Sequence, residues 1–263
     1  MPYCRRKMRE APDAGRRPSS VCKPKYALKK ARAGIRLSRW ELEDLSRDPG
    51  HALQYALHVV GGRWEPGEAA IMRSSCAVQY ASDVLKGRWP EAEEFICSSP
   101  DLSVTYCERV LNSRWSVAEA SICSDYSAGM RYVRNVARGR VELFEARIAD
   151  FICGRRSVWR YCYANPSQAL AEYMKLVGCR VPLFEEVFSR CGRASALYRY
   201  ARGIGGRLPG ELHSRMMMYS FDDRRKGWAR RYVRHLERCR ARAERWISDL
   251  DEDGRRELFG RFA

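Results

Sequence analysis

Histidine is scarce in this sequence, with four among 263 residues. No two are spaced as His-x-x-x-His, the pair that presents two imidazoles to a zinc ion from one helix face. The sequence also contains no nucleophile motif of the hydrolases. These gaps argue against a metalloenzyme or a hydrolase. We predict that the protein is not an enzyme, has no catalytic or metal-ligating residues, requires no cofactor and takes no small-molecule substrate.

Long apolar stretches are also missing. No run approaches the roughly 18 apolar residues that span a bilayer, and no secretory signal is present. Eleven cysteines occur, but no two are closer than nine residues, which excludes the Cys-x-x-Cys pair of zinc and redox sites. Several recur in register with the repeat described below, as small buried side chains do. We predict reduced cysteines, no membrane partner and a cytoplasmic protein.

What the chain has in excess is positive charge, +17 in total with a pI near 9.7. Residues 1–39 carry 13 basic and 2 acidic side chains, residues 40–223 carry 23 of each, and residues 224–245 carry 10 basic and 2 acidic. The excess therefore lies at the two ends. Such a balance favours an acidic partner: nucleic acid, an anionic membrane surface or an acidic protein.

A short pattern recurs seven times: an arginine, often followed by tryptophan, with an acidic residue five places later in six of the units. The arginines are Arg39, Arg63, Arg88, Arg114, Arg140, Arg180 and Arg207, separated by 24, 25, 26, 26, 40 and 27 residues. A fixed period of this size is typical of stacked helical repeats. The sequence predicts an all-α solenoid of short helical hairpins, about 26 residues each.

Each unit is expected to contain two helices. Asp48-Pro49, Ser99-Pro100 and Asn165-Pro166 predict an N-cap followed by proline in the first helical turn. The first helix is expected to end at the glycine before the arginine. These glycines are Gly62, Gly87, Gly139 and Gly206. The second helix follows the tryptophan, and its inward residues are Ile71, Ile96, Ile122 and Ile148.

Three columns of the repeat allow two interpretations each. The arginines either meet phosphates or pair with the carboxylates five places on, which are Asp44, Glu68, Glu93, Glu119, Glu145 and Glu185. The ion pair is favoured, and Arg207, which has Leu212 at that place, is predicted to be the freest of the seven. Two sets of aromatic residues also recur with the repeat. They are the tryptophans after the arginines (Trp40, Trp64, Trp89 and Trp115) and the tyrosines of the first helices (Tyr55, Tyr80, Tyr106, Tyr132, Tyr173 and Tyr200). These tryptophan and tyrosine columns either stack bases or pack between repeats, and packing is favoured.

One register break interrupts the array. The surplus, roughly residues 151–165, predicts an extra helix, and Arg155, Arg156 and Arg160 make it locally basic. The Gly-rich stretch 203–210 could cradle a phosphate on its backbone N–H groups. It lacks the Walker lysine and coincides with an ordinary turn between helices, which makes the turn the favoured interpretation.

The two ends differ from the array. Residues 1–37 predict a basic arm and a first helix, residues 38–222 the solenoid, and residues 223–263 a basic amphipathic helix with a tail. In the last segment, apolar residues spaced 4, 3, 4, 3 and 4 run from Tyr232 to Leu250, which predicts a packing seam. Five arginines spaced 3, 4, 4 and 3, from Arg231 to Arg245, form a separate stripe on the same helix.

The segment 87–93, Gly-Arg-Trp-Pro-Glu-Ala-Glu, is preceded by Tyr80-Ala81 and followed by Ile96. It resembles a tandem repeat, "YAxxVLKGRWPEAExxI", of proteins from tailed phages and some large DNA viruses. The match is close over residues 50–123 and weakens through residue 215. The resemblance implies a helical array of phage or viral origin, and hence the host cytoplasm, but it implies no activity.

These observations predict a non-enzymatic α-solenoid that binds RNA or DNA, as a component of a phage or ribonucleoprotein assembly. The predicted contact residues are Arg5, Arg6, Lys7, Arg9, Arg16, Arg17, Arg155, Arg156, Arg160, Arg207, Arg231, Arg234, Arg238, Arg242 and Arg245. The alternative is an adaptor or inhibitor that binds an acidic host protein. A structural subunit of a large particle is a third possibility.

Overall fold

The structure is a computed structural model that describes residues 23–154, 159, 165–191, 193–222 and 224–249. The described residues form α-helices and short helical turns, with no β-strand among them. The predicted all-α class is confirmed. The chain divides into two compact units, residues 1–122 and 123–263.

The first unit contains α1 to α8. Their bounds are α1 Pro24–Arg32, α2 Arg39–Arg47, α3 Pro49–Tyr55, α4 Glu65–Met72, α5 Cys76–Gln79, α6 Pro90–Cys97, α7 Pro100–Tyr106 and α8 Ser116–Ile122. Helices α3, α5 and α7 each contact the next member of that row, and so do α4, α6 and α8. Consecutive hairpins of this unit therefore pack on their nearest neighbours, as stacked repeats do.

The second unit contains α9 to α15. Their bounds are α9 Tyr126–Tyr132, α10 Glu142–Ile152, α11 Pro166–Val177, α12 Pro182–Cys191, α13 Ala194–Gly203, α14 Gly210–Met218 and α15 Lys226–Asp249. Here α11, α13 and α15 form one row of contacts, and α10, α12 and α14 another. A solenoid running through the whole chain, and the three predicted segment boundaries, stay predictions.

The repeat columns form the core. Ile71, Ile96, Ile122 and Ile148 are 0% exposed, as are Tyr80, Tyr106, Tyr132, Tyr173 and Tyr200. In the first unit each tyrosine packs on the next tryptophan, with ring centroids 4.7 Å apart for Tyr55 and Trp64 and 5.0 Å apart for Tyr80 and Trp89. Val141 and Val181 occupy the tryptophan position in the second unit and are also fully buried. Packing, the favoured interpretation of both columns, is confirmed.

Two of the three predicted N-caps form at the starts of helices. The side chains of Asp48 and Asn165 accept hydrogen bonds from the backbone N–H groups of His51 and Gln168. The prediction for Ser99 is wrong in part, because its side chain makes no capping hydrogen bond. Among the described cysteines, Cys107 and Cys123 are buried, whereas Cys153 and Cys179 are exposed, so the predicted burial holds for only part of them. Burial raises the pKa of Cys107 to about 12, which leaves an unreactive thiol at neutral pH.

The helix ends correct the sequence prediction by one residue. Four first helices finish in a short π-helical turn: Ala56–Val60, Tyr80–Leu85, Cys107–Leu111 and Val133–Ala137. A left-handed residue follows each: Gly61, Lys86, Asn112 and Arg138. In three units it lies one place before the predicted glycine, and in the fourth the next residue is Ser113. Gly87 instead donates from its backbone N–H to the carbonyl of Ala81, 3.1 Å away. The glycine therefore lies just beyond the left-handed cap, where such a long-range bond closes the helix.

This correction gives a first testable prediction. Lys86 adopts φ 54°, a region that costs a side chain about 1 kcal/mol or more relative to glycine. Lys86→Gly is therefore expected to raise the free energy of unfolding by about 0.5–1 kcal/mol in urea denaturation, because relief of strain exceeds the added entropy of the unfolded chain. The control is Gly87→Ala, since Gly87 has no positive φ and open space around its Cα. A marked loss of stability in the control would contradict the assignment.

Candidate nucleic-acid interface

The repeating arginines are held by their own carboxylates. Five of the six predicted pairs form: Arg63–Glu68 at 2.8 Å, Arg88–Glu93 at 2.9 Å, Arg114–Glu119 at 2.8 Å, Arg140–Glu145 at 2.8 Å and Arg180–Glu185 at 2.7 Å. In four of them, Nε and Nη2 each donate to a different carboxylate oxygen, as in Arg88 and Glu93. A guanidinium engaged in this way has fewer donors left for a phosphate, which favours a structural role.

The sixth predicted pair is different. Arg39 lies inside α2, whereas its counterparts precede a helix. Five residues along a helix turn the side chain about 140° away, so Arg39 and Asp44 do not share a face. The Asp44 carboxylate lies 3.9 Å from the guanidinium of Arg47 instead.

A tyrosine that follows in the chain completes four of these pairs, a role that the sequence analysis missed. The Tyr106 hydroxyl donates to Glu93 at 2.9 Å and accepts from the Trp89 backbone N–H at 2.8 Å. The same geometry recurs at Tyr80, Tyr173 and Tyr200. The hydrogen bonds from Arg88, ahead of the opposing effect of burial, lower the pKa of Glu93, whereas burial raises the pKa of Tyr106 to about 12. The tyrosine is therefore a neutral donor to an ionised carboxylate.

The last unit departs from this scheme at Arg207. The Tyr232 hydroxyl contacts the Leu208 backbone N–H at 3.0 Å and Nδ1 of His213 at 2.8 Å, so an imidazole replaces the carboxylate. Arg207 is exposed, and no carboxylate of the described residues pairs with it. Burial, assisted by the charge of Arg207, lowers the pKa of His213 below its usual 6.5. As expected from Leu212 at the place of the acid, Arg207 lacks the carboxylate partner among the described residues, but Arg39 lacks it as well, so Arg207 is not distinguished from all the others.

The C-terminal helix α15 presents the arginine stripe to solvent. Ala229 and Tyr232 are buried, and α15 contacts α13 and α14. All five arginines of the stripe are exposed: Arg231, Arg234, Arg238, Arg242 and Arg245. The predicted seam ends earlier than expected, because Ala243 is exposed; Leu250 lies outside the described residues. Residues 240–245 are all exposed, so this part of the helix is accessible around its whole circumference.

The described carboxylates of α15 leave three arginines of the stripe uncovered. Glu244 pairs with Arg240 at 2.7 Å, off the stripe, and Glu237 lies about 60° from the edge of the stripe by helical geometry. Within the part of the chain that the structure describes, no carboxylate pairs with Arg234, Arg238 or Arg242. The stripe is therefore a row of accessible guanidinium groups.

Two other predicted groups lie outside the described residues. They are Arg5, Arg6, Lys7, Arg9, Arg16 and Arg17 in the N-terminal segment, and Arg155, Arg156 and Arg160 in the surplus segment. In the described part, no three His, Cys, Asp or Glu side chains are placed to hold a metal ion. No described helix is long and apolar enough to cross a membrane.

Comparison with protein-family models, curated proteins and solved structures finds no match to this chain. The resemblance to the repeat proteins of phages and large DNA viruses therefore stays a prediction.

Proposed function

We propose that the protein is a non-enzymatic helical-repeat protein that binds nucleic acid through the arginine stripe of α15. The observation that carries the proposal is the row of exposed guanidinium groups in which Arg234, Arg238 and Arg242 have no carboxylate partner among the described residues. Elsewhere the chain pairs its recurring arginines closely with glutamates. In the stripe, three arginines on one helix face have no such partner among the described residues.

The dimensions of the stripe suit a phosphate backbone. From Arg231 to Arg242 the helix rises about 17 Å, so an arginine of the stripe occurs about every 5–6 Å along the axis. Each can donate two parallel hydrogen bonds to phosphate oxygens. Such contacts position the nucleic acid but do not distinguish bases. We therefore expect binding with little sequence specificity, whether to RNA or DNA.

The charge of this region does not depend on pH near neutrality. Burial, with Arg202 and Arg242 acting in the same direction, lowers the pKa of His235 below its usual 6.5. That histidine is neutral at pH 7, and arginine keeps its charge throughout this range. Within a larger phage or ribonucleoprotein assembly in the cytoplasm, the interaction would respond to ionic strength rather than to small changes of pH.

The proposal is tested by a filter-binding titration of the full chain across salt concentrations. Because each neutralised phosphate releases counterions, affinity is expected to fall steeply as salt rises, with a slope of log K against log salt near −3 or steeper. Absence of binding at low ionic strength, or a slope near zero, rejects the proposal.

A protein-binding adaptor is the second candidate, and one observation favours it. Phe221, Met218 and Met217 expose 85%, 65% and 37% of their surface next to α15 in sequence, an apolar cluster of the kind that contacts proteins. A partner that also carries acidic groups would suit the adjacent arginines. A pull-down that survives nuclease treatment, together with no nucleic-acid binding by the purified chain, would favour this candidate.

A further inference from the structure

A groove of about 470 Å³ lies between α11, α13 and α15, within the second unit. Four cationic side chains line it: Lys175, Arg199, Arg202 and Arg231. Two aromatic side chains, Tyr198 and Trp228, line it as well, with ring centroids 5.8 Å apart. The close approach of α11 and α13 at its floor requires Gly203, because a Cβ there would overlap the Cβ of Met174.

No described carboxylate neutralises the positive charges of this groove. No carboxylate of the described residues pairs with any of the four, and none of the groove's lining residues is acidic. The buried Nε of Arg199 has no hydrogen-bond acceptor among the described residues. Buried donors are nearly always satisfied in folded proteins. A guanidinium N–H without an acceptor, in a cationic groove, indicates that a ligand supplies its hydrogen-bond acceptor.

Arg231 connects this groove to the stripe. Its guanidinium carbon lies 4.6 Å from the centroid of the Trp228 ring, a cation–π contact that holds the side chain in place. Arg231 is also the first residue of the stripe. A nucleic-acid strand that follows the stripe toward the start of α15 would therefore arrive at the groove.

We infer that the groove holds one nucleotide of a single-stranded nucleic acid. The phosphate would accept hydrogen bonds from Arg199 and Arg202, and the base would contact Tyr198 and Trp228. The volume lies within the roughly 300–1,000 Å³ typical of small-ligand sites, and cationic grooves with aromatic walls are the usual means of binding unpaired strands. A base that is paired in a duplex cannot enter. This inference rests on the proposed function and adds a preference for single strands.

The test compares a labelled single-stranded 20-mer with the matching duplex by fluorescence anisotropy, on the unaltered protein and three variants. Arg202→Gln removes a groove cation, and Arg238→Gln is its control on the stripe, with the same change of charge. Arg202→Gln is expected to weaken single-strand binding about tenfold and duplex binding less than threefold. Arg238→Gln is expected to weaken both to a similar degree.

Tyr198→Leu separates contact with the base from charge, since it leaves the net charge unchanged. It is expected to reduce single-strand affinity about five- to tenfold without altering the salt slope; thermal denaturation verifies that each variant folds. Equal affinity of the unaltered protein for both substrates would reject the nucleotide site in the groove and leave the proposed function intact. Equal effects of Arg202→Gln and Arg238→Gln on both substrates would do the same. Failure to bind either substrate at low salt overturns both.

Discussion

Arg140→Met is expected to lower the free energy of unfolding by about 2–3 kcal/mol. The Glu145 side chain is 1% exposed, and without Arg140 it becomes a buried carboxylate whose positive partner is gone. Loss of one member of a buried pair costs about 3–5 kcal/mol. We expect less here because the Arg140 side chain is 39% exposed, and water screens the pair.

The matched control is Arg180→Met, which removes the same ion pair where the carboxylate of Glu185 is 18% exposed. Its loss of stability should be clearly smaller, since water can solvate the freed carboxylate. The double variant Arg140→Met with Glu145→Gln should recover part of the loss, because the cost arises from an unpaired buried charge. Urea denaturation measures all three. Equal losses of stability at Arg140 and Arg180, or no recovery in the double variant, would contradict this account of the arginine–glutamate pairs.

The second large effect concerns binding. The triple variant Arg234→Gln, Arg238→Gln and Arg242→Gln should weaken duplex binding about a hundredfold at 0.15 M salt. Each phosphate contact releases about 0.9 counterion on B-DNA, which is a factor of about five per contact at that salt concentration. Glutamine has nearly the helix propensity of arginine, so α15 should persist. Anisotropy titration measures the loss.

A control for total charge is available in the same chain. Arg73, Arg109 and Arg134 are exposed residues of the repeats, away from α15 in sequence. Their combined replacement by glutamine removes the same three charges, and we expect less than a fivefold change in affinity, since long-range charge is screened at this salt concentration. If this control weakened binding as much as the stripe variant, net charge rather than the stripe would account for the affinity.

Much of the architecture could be predicted because it depends on spacing within single helices. The period of the arginines predicted the hairpins. The five-residue spacing from each arginine to an acidic residue predicted most of the ion pairs. The stripe of α15 followed from intervals of three and four residues, which fix the angle around a helix. Arg39 shows the limit, because the same spacing inside a helix separates the two side chains.

What the sequence could not provide depends on contacts between helices. Tyr106 reaches Glu93 because consecutive hairpins stack in a particular register; the fixed order of arginine, acid and tyrosine was the available signal. The groove joins Lys175, Arg202 and Trp228 from three helices, and no local pattern relates them. The left-handed residue at Lys86 was missed because the π-helical turn moves the helix end by one residue.

The most direct test of the central claim is the difference in salt slope between the unaltered protein and the triple stripe variant on one duplex. The slope of log K against log salt counts phosphate contacts, at about 0.9 per contact. If Arg234, Arg238 and Arg242 each meet a phosphate, the slope of the variant should be shallower by about 2.7. Parallel slopes for the two proteins would contradict the claim, whatever the difference in affinity.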